Sequence, residues 1–186
     1  MRLRPAVILC FAFLFSGCRK DPNALDSAVA LRNKVLNGSG CSFQTTVTAD
    51  YGEMIYIFTM DCKSDQNGDL TFCVVEPDTI AGISGTVSGF GGTIIFDDKV
   101  LAFQTMADGQ VTPVSAPWLF MKTLRSGYLR DASATDDGLQ ITIDDSYQEN
   151  ALQLRILTNG DTPKSGEIFW QGRRVLTLTV ESFTFL

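Results

Sequence analysis

The chain has 186 residues, with 15 Lys and Arg against 21 Asp and Glu, no histidine, and an apolar share of 45%. The missing histidine excludes Ser-His-Asp and Cys-His catalysis and removes the commonest metal ligand. The acidic balance excludes a general nucleic-acid binder, which would carry a basic patch or stripe.

Arg2 and Arg4 precede an eleven-residue apolar run, Pro5 to Phe15. Charge, then an apolar core, then small residues is the layout of an export signal, and the run is shorter than the roughly 20 residues of a membrane span. Ser16-Gly17-Cys18 resembles the lipobox of bacterial lipoproteins, with Phe15 standing where Leu is usual. The resemblance implies a diacylglyceryl group on the sulfur of Cys18 and cleavage just before it. Two or more acyl chains anchor a protein stably where one does so only marginally. The expectation is a signal peptide over 1–17, a lipidated tether over 18–23, and one domain over 24–186 held on the outer side of the cytoplasmic membrane or beyond. Removal of residues 1–17 leaves 169 residues and a side-chain balance of −8, because Arg2 and Arg4 leave with them. Three cysteines then remain besides Cys18, too few for a zinc site of thiolates alone. No metal or other cofactor is expected.

After the tether, Leu25, Val29, Leu31, Lys34, Val35 and Leu36 form a helical stripe that Asn37-Gly38 ends, predicting a helix over 24–36. The period then changes to two. Cys41, Phe43, Thr45 and Val47 share one face, and Met54, Tyr56, Phe58, Met60 and Cys62 share another. Strands are expected to continue through 69–76, 83–88, 92–97, 99–107, 132–135, 138–145, 151–159, 165–171 and 173–185. Turn signals such as Tyr51-Gly52, Asn67-Gly68 and Asp137-Gly138 separate them. Short strands at regular spacing predict a mainly β fold, an antiparallel meander forming a sandwich or a barrel. One segment interrupts it. Ser115 and Pro117 open, and Gly127 closes, a short helix over 117–127 carrying Trp118, Leu119, Phe120, Met121 and Leu124. Such a helix either plugs one end of the sheet or covers the mouth of an apolar pocket.

Three motifs fail their own context. Asp65 to Asp69 resembles the start of a calcium loop, but Leu70 stands where that loop needs glycine, and Asn67-Gly68 fits a two-residue type I′ turn. Gly89-Phe90-Gly91-Gly92 lacks the Gly-Lys-Ser/Thr of a phosphate loop. Asp144 and Asp145 are strand neighbours that point to opposite faces. With no nucleophile–base pair, no enzyme is expected. With two-residue turns at 51–52 and 67–68, Cys62 faces Cys73 on one side and Cys41 on the other, so export would permit a disulfide of Cys62 with Cys73 or with Cys41.

The order of elements resembles the lipoprotein-carrier (LolA/LolB-like) half-barrel. The stretches VEPDTIAGISG, PVSAPWLFMKTLRSGY, ITIDDSY and FWQGRRVLTLTVESF are closer still to clostridial germination lipoproteins of the GerS type. This resemblance implies a curved, half-open sheet of about 10–11 antiparallel strands around a helix, with an apolar concavity. In the carrier branch the concavity holds acyl chains, and in the germination branch the protein supports a cortex-lytic enzyme system through protein contacts. A buried arginine of the carriers would have its counterpart in Arg125 or Arg130. The one-sided apolar strands place Phe43, Tyr56, Phe58, Met60, Trp118 and Met121 as candidate cavity residues. Lipid or a lipoprotein is the expected ligand, and a protein partner the alternative.

Overall fold

The computed structural model describes residues 22–107 and 110–186. Cys18, the apolar leader and most of the tether therefore lie outside the described residues. No helix among the described residues is long and apolar enough to cross a membrane.

The chain begins with α1 (Pro22–Asn37) and continues into β1 (Gly40–Asp50), β2 (Ile55–Asp65), β3 (Leu70–Glu76), β4 (Ser84–Ser88), β5 (Gly91–Phe96) and β6 (Lys99–Phe103). A small hairpin, β7 (Met106–Ala107) and β8 (Gln110–Val111), leads through a 3₁₀ turn into α2 (Ala116–Ser126). Then come β9 (Tyr128–Thr135), β10 (Gly138–Asp144), β11 (Gln153–Asn159), β12 (Thr162–Trp170) and β13 (Arg173–Phe185). Eleven strands form one antiparallel sheet in the order β6-β5-β4-β3-β2-β1-β13-β12-β11-β10-β9. The first and last long strands pair at its centre, and β6 and β9 remain as separate edges. The sheet is therefore a half-barrel, neither a sandwich nor a closed barrel.

The expected strand over 99–107 is broken. Beyond Phe103 the chain leaves the sheet, and Met106–Ala107 pairs instead with Gln110–Val111. The first strand after α2 starts at Tyr128, earlier than the expected 132.

Alternation explains both faces of the sheet. Cys41, Phe43, Val47, Phe58, Met60 and Cys62 are buried on the concave side. The convex side carries polar cross-strand pairs: the Thr46 and Thr59 hydroxyls lie 3.0 Å apart, and the Gln44 amide donates to Asp61 at 2.9 Å. Such pairs stabilise neighbouring strands. On α1 the buried stripe is Ala24, Ala28, Leu31 and Val35, at helical spacing. The expected Leu25, Val29 and Leu36 are instead 52%, 39% and 45% exposed, because the smaller alanines allow closer approach to the sheet. The two helices clasp each other: Arg32 Nε donates to the Leu124 carbonyl at 2.8 Å, and Arg125 donates to the Val35 carbonyl at 3.2 Å. Every one of these backbone acceptors lies near a helix C-terminus, where carbonyls lack intrahelical partners.

Turn lengths overturn the expected cysteine register. The β1–β2 turn is a four-residue loop, with Asp50 opposite Ile55 and the Tyr51 N–H donating to the Met54 carbonyl. The β2–β3 turn has three residues, 66–68, closed by the Asp65 N–H donating to the Asp69 carbonyl at 3.0 Å, because the Asp65 carboxylate accepts from the N–H groups of Asn67, Gly68 and Asp69. Gly68 takes the left-handed conformation, φ +91°, which glycine adopts without steric cost. Cys62 consequently faces Phe72 and Cys73 faces Asp61. A one-residue slip moves a side chain to the other face, so Cys62 and Cys73 stand on opposite sides of the sheet. Cys41 lies opposite Ser64, diagonal to Cys62, and diagonal partners are about 7–8 Å apart, beyond disulfide reach without backbone movement. All three thiols are free.

Candidate functional site: an apolar pocket under half of the sheet

The concave face is filled unevenly. Over β10 to β13, α2 lays Leu119, Phe120, Met121 and Leu124 into the curve, each at most 6% exposed. Phe120 rests directly on Gly166, where an added Cβ would come within 2.7 Å of its ring. α2 also touches β2, but over β3 to β5 no helix makes comparable contact. There the concave side chains face the segment that runs from β7 to the 3₁₀ turn, and a cavity of about 560 Å³ lies between them. That volume falls within the range of ligand pockets, about 300–1,000 Å³.

Three sets of residues build this cavity. Phe58 and Val74 come from the sheet at 6% and 2% exposure and, with Val111 at 1%, make its floor. Ile80 and Ile83 come from the connection between β3 and β4, which folds inward through Ile80 N–H to Pro77 carbonyl (3.0 Å) and Val74 N–H to Ile83 carbonyl (2.8 Å). Pro113 and Val114 come from the 3₁₀ turn, pinned by Thr112, whose N–H donates to the Thr105 carbonyl at 2.9 Å. Exposure rises to 44% at Tyr56 and 57% at Met54, which mark the mouth. Among the described residues no charged side chain lines it.

Tyr51, Tyr56, Gln110 and Thr112 are the polar side chains among its described lining residues. The Tyr51 hydroxyl donates to the Val111 carbonyl and so ties the β1–β2 loop to the far wall. Burial, and secondly the neighbouring Tyr56 phenol, push the Tyr51 hydroxyl up to about 12. The two rings meet edge to face, with centroids 6.3 Å apart and planes at 62°, an arrangement favoured by the aromatic quadrupole.

Of the residues expected to line a cavity, Tyr56 and Phe58 do. Phe43, Met60 and Met121 are packed core instead, at 4%, 0% and 0% exposure. Phe43 stacks on Phe183, and Cys41 donates to the Met121 sulfur. Trp118 is on the other side of the 104–115 segment. Its indole donates to the Gly68 carbonyl at 3.1 Å, and it borders a second, mixed-polarity cavity with Lys122, Arg125, Asp145 and Trp170. The helix 116–126 thus plugs the sheet and does not cover the pocket. Arg125 is a clasp, donating also to the Gln66 carbonyl at 2.7 Å, and Arg130 is exposed and paired with Asp144 at 3.2 Å. Neither arginine enters the pocket. The residues that sequence reasoning passed over are Tyr51, Ile80, Ile83 and 111–114. Their one signal is apolar residues inside turn-rich stretches, where exposure alone would favour polar ones.

Burial also pushes the Cys41 thiol up to about 11 and raises that of Cys62 further. Neither is a nucleophile, since the thiolate is the reactive form. Among the described residues no group of three or more Cys, Asp and Glu side chains is placed to hold a metal ion.

No family model matches the chain, and no curated protein matches it in sequence. Solved structures do match. A domain from Vibrio parahaemolyticus described as an outer membrane lipoprotein-sorting protein is 9% identical, with a TM-score of 0.51 over 88% of this chain and 92% of that one. A LolA superfamily protein from Nitrosomonas europaea is 9% identical, with a TM-score of 0.46 over 88% and 93%. The lipoprotein LppX of Mycobacterium tuberculosis is 14% identical, with a TM-score of 0.44 over 88% and 96%. At these identities the likeness speaks for the fold alone, a half-open antiparallel sheet shared with the Vibrio domain.

Proposed function

We propose that this protein is a lipoprotein of the extracytoplasmic membrane surface that binds one long alkyl or acyl chain without catalysis. The observation that carries the reading is the 560 Å³ cavity with a largely apolar lining, open beside Tyr56 and Met54. Apolar cavities of this kind with few polar groups are what small-molecule sites look like. The Vibrio domain, named for lipoprotein sorting, supports the reading by its shared fold. Anchoring rests on Cys18: replacing it with Ala should abolish incorporation of a fatty-acid analogue in growing cells, and undiminished label on the variant would end that part of the proposal.

Neither tryptophan lines the pocket, so intrinsic fluorescence is a poor reporter. An uncharged probe, N-phenyl-1-naphthylamine, should bind the purified protein saturably at one site and be displaced by 1-dodecanol. Ile80→Asp, which puts a carboxylate into the lining, should weaken that binding at least about tenfold, or ~1.4 kcal/mol. Non-saturable binding, or equal binding by Ile80→Asp, would overturn the reading.

A second reading has its own observation. The β5–β6 hairpin exposes Ile95 (44%), Phe96 (54%), Val100 (65%) and Leu101 (61%) at a sheet edge. Exposed apolar surface beside unpaired backbone is a template for protein contact. This supports a partner-protein role of the kind that the resemblance to clostridial germination lipoproteins implies. A pull-down lost on Val100→Lys with probe binding intact would favour it.

A further inference from the structure

An alkyl chain in the pocket leaves its head group at the mouth, so the groups around the mouth select the head. Two features there point the same way. The first is aromatic: Tyr51 and Tyr56 meet edge to face at 6.3 Å beside the opening. Tyrosine faces attract cations, and quaternary ammonium groups are the ligands that aromatic corners recognise best. The Tyr51 hydroxyl is already committed to the Val111 carbonyl, so it does not serve as a donor to an anionic head.

The second feature is charge. Glu53 lies in the same four-residue loop as Tyr51 and Met54, and Asp78 lies in the connection that carries Ile80 and Ile83. Asp97 and Asp98 form the β5–β6 turn at this same end of the sheet, just past Ile94 of the lining. Glu53, Asp78, Asp97 and Asp98 have no ion-pair partner among the described residues. The cations near this end are largely taken: Lys99 closes the same turn, Arg173 lies over Gly52 of the loop and pairs with Asp50 at 3.5 Å, and Arg174 pairs with Glu167 at 2.6 Å. A low-dielectric cleft rimmed by one sign of charge concentrates ligands of the other sign. The second cavity, where Lys122 and Arg125 stand against Asp69 and Asp145, has no such bias.

We propose that the pocket selects single-chain amphiphiles with a cationic alkylammonium head over those with a carboxylate or sulfate head. This deepens the alkyl-chain reading and rests on it. Fatty acids, the obvious test ligands for such a fold, are on this account the disfavoured class.

Three probes with the same twelve-carbon chain separate the two claims: dodecyltrimethylammonium, 1-dodecanol and dodecanoate. Each is titrated below its micellar concentration, in competition with N-phenyl-1-naphthylamine so that only pocket binding is read. The expected order is ammonium tightest, alcohol next and carboxylate weakest, with at least about tenfold between the extremes at low salt. Raising NaCl to about 0.5 M should shrink that gap, since exposed charges are screened. The double variant Glu53→Gln, Asp78→Asn should shrink it too while leaving 1-dodecanol unaffected, which also shows that the variant is folded. Equal affinities for the three probes, or a preference for dodecanoate, would overturn the head-group proposal and leave the pocket reading standing. Failure of all three to compete would overturn both.

Discussion

The two halves of the concave face are made from the same alternating strands, yet one is a core and the other a cleft. Over β10–β13 a helix apolar almost all round is available to fill the curve, and Phe120, Met121 and Leu124 are fully buried there. Over β3–β5 the covering chain is a hairpin of two two-residue strands and a 3₁₀ turn, which present Ala107, Gln110, Val111, Thr112, Pro113 and Val114. Backbone close to a sheet cannot supply the side-chain volume of a helix. Packed interiors leave few voids larger than a water molecule, so the 560 Å³ gap sets this part of the concave face apart from the packed core around Phe120, Met121 and Leu124.

The sharpest way to break that comparison is Phe120→Ala in the filled half. Its ring is fully buried against Phe43 (6.5 Å between centroids) and Gly166, and such truncations destabilise by about 3–5 kcal/mol. Denaturant unfolding with a loss under about 1 kcal/mol would mean that the filled half is not packed as described. Gly166→Ala tests the same contact from the sheet side. The new methyl meets a ring that has nowhere to go, and overpacking of this kind costs about 1–3 kcal/mol. An unchanged midpoint would show the ring free to move.

In the open half the expectation inverts. Tyr56→Ala removes a ring that is 44% exposed, so stability should change by less than about 1 kcal/mol, while N-phenyl-1-naphthylamine binding falls. A large loss of stability with unchanged probe binding would make Tyr56 a structural residue and not a rim residue.

The pH dependence of the same half follows from Tyr51. Its hydroxyl is held up to about 12, above the ordinary 10, because burial disfavours the phenolate. A raised folded-state value means that the neutral form is favoured by folding. The contribution is complete below pH 10 and is lost as pH rises through 12. Probe binding should weaken over that window in the native protein and lose this component in Tyr51→Phe. Identical profiles would detach Tyr51 from the pocket.

The smallest effect expected is at the cysteines. Cys41 and Cys62 are buried with raised values, so iodoacetamide at pH 8 should modify Cys73 first and leave the other two untouched in the folded state. A Cys62–Cys73 disulfide-linked peptide in unreduced digests would contradict the register that places these two residues on opposite faces.

How much of this was legible beforehand follows the range of the interactions. Alternation over 41–48 and 54–62 identified the strands and their buried faces, because period two is a local property of the chain. Pro117, Gly127 and the apolar run between them marked α2 within one residue at each end. The Asp65–Asp69 stretch was recognisable as a turn, yet its length was not, because the Asp65 carboxylate recruits three successive N–H groups. That one extra residue moved Cys73 to the convex face and removed the disulfide.

Sequence by itself determined the alternating faces of β1 and β2, the two helices, the absence of histidine chemistry and the acidic balance, all of which are written in residue type and short-range period. The tertiary structure decided which apolar residues are core and which are wall. Phe43, Met60 and Met121 look like Tyr56 and Phe58 in the sequence. They differ only because α2 comes to rest over one half of the sheet, and the position of a helix across a sheet is set by long-range packing, such as Phe120 on Gly166, that no local pattern records.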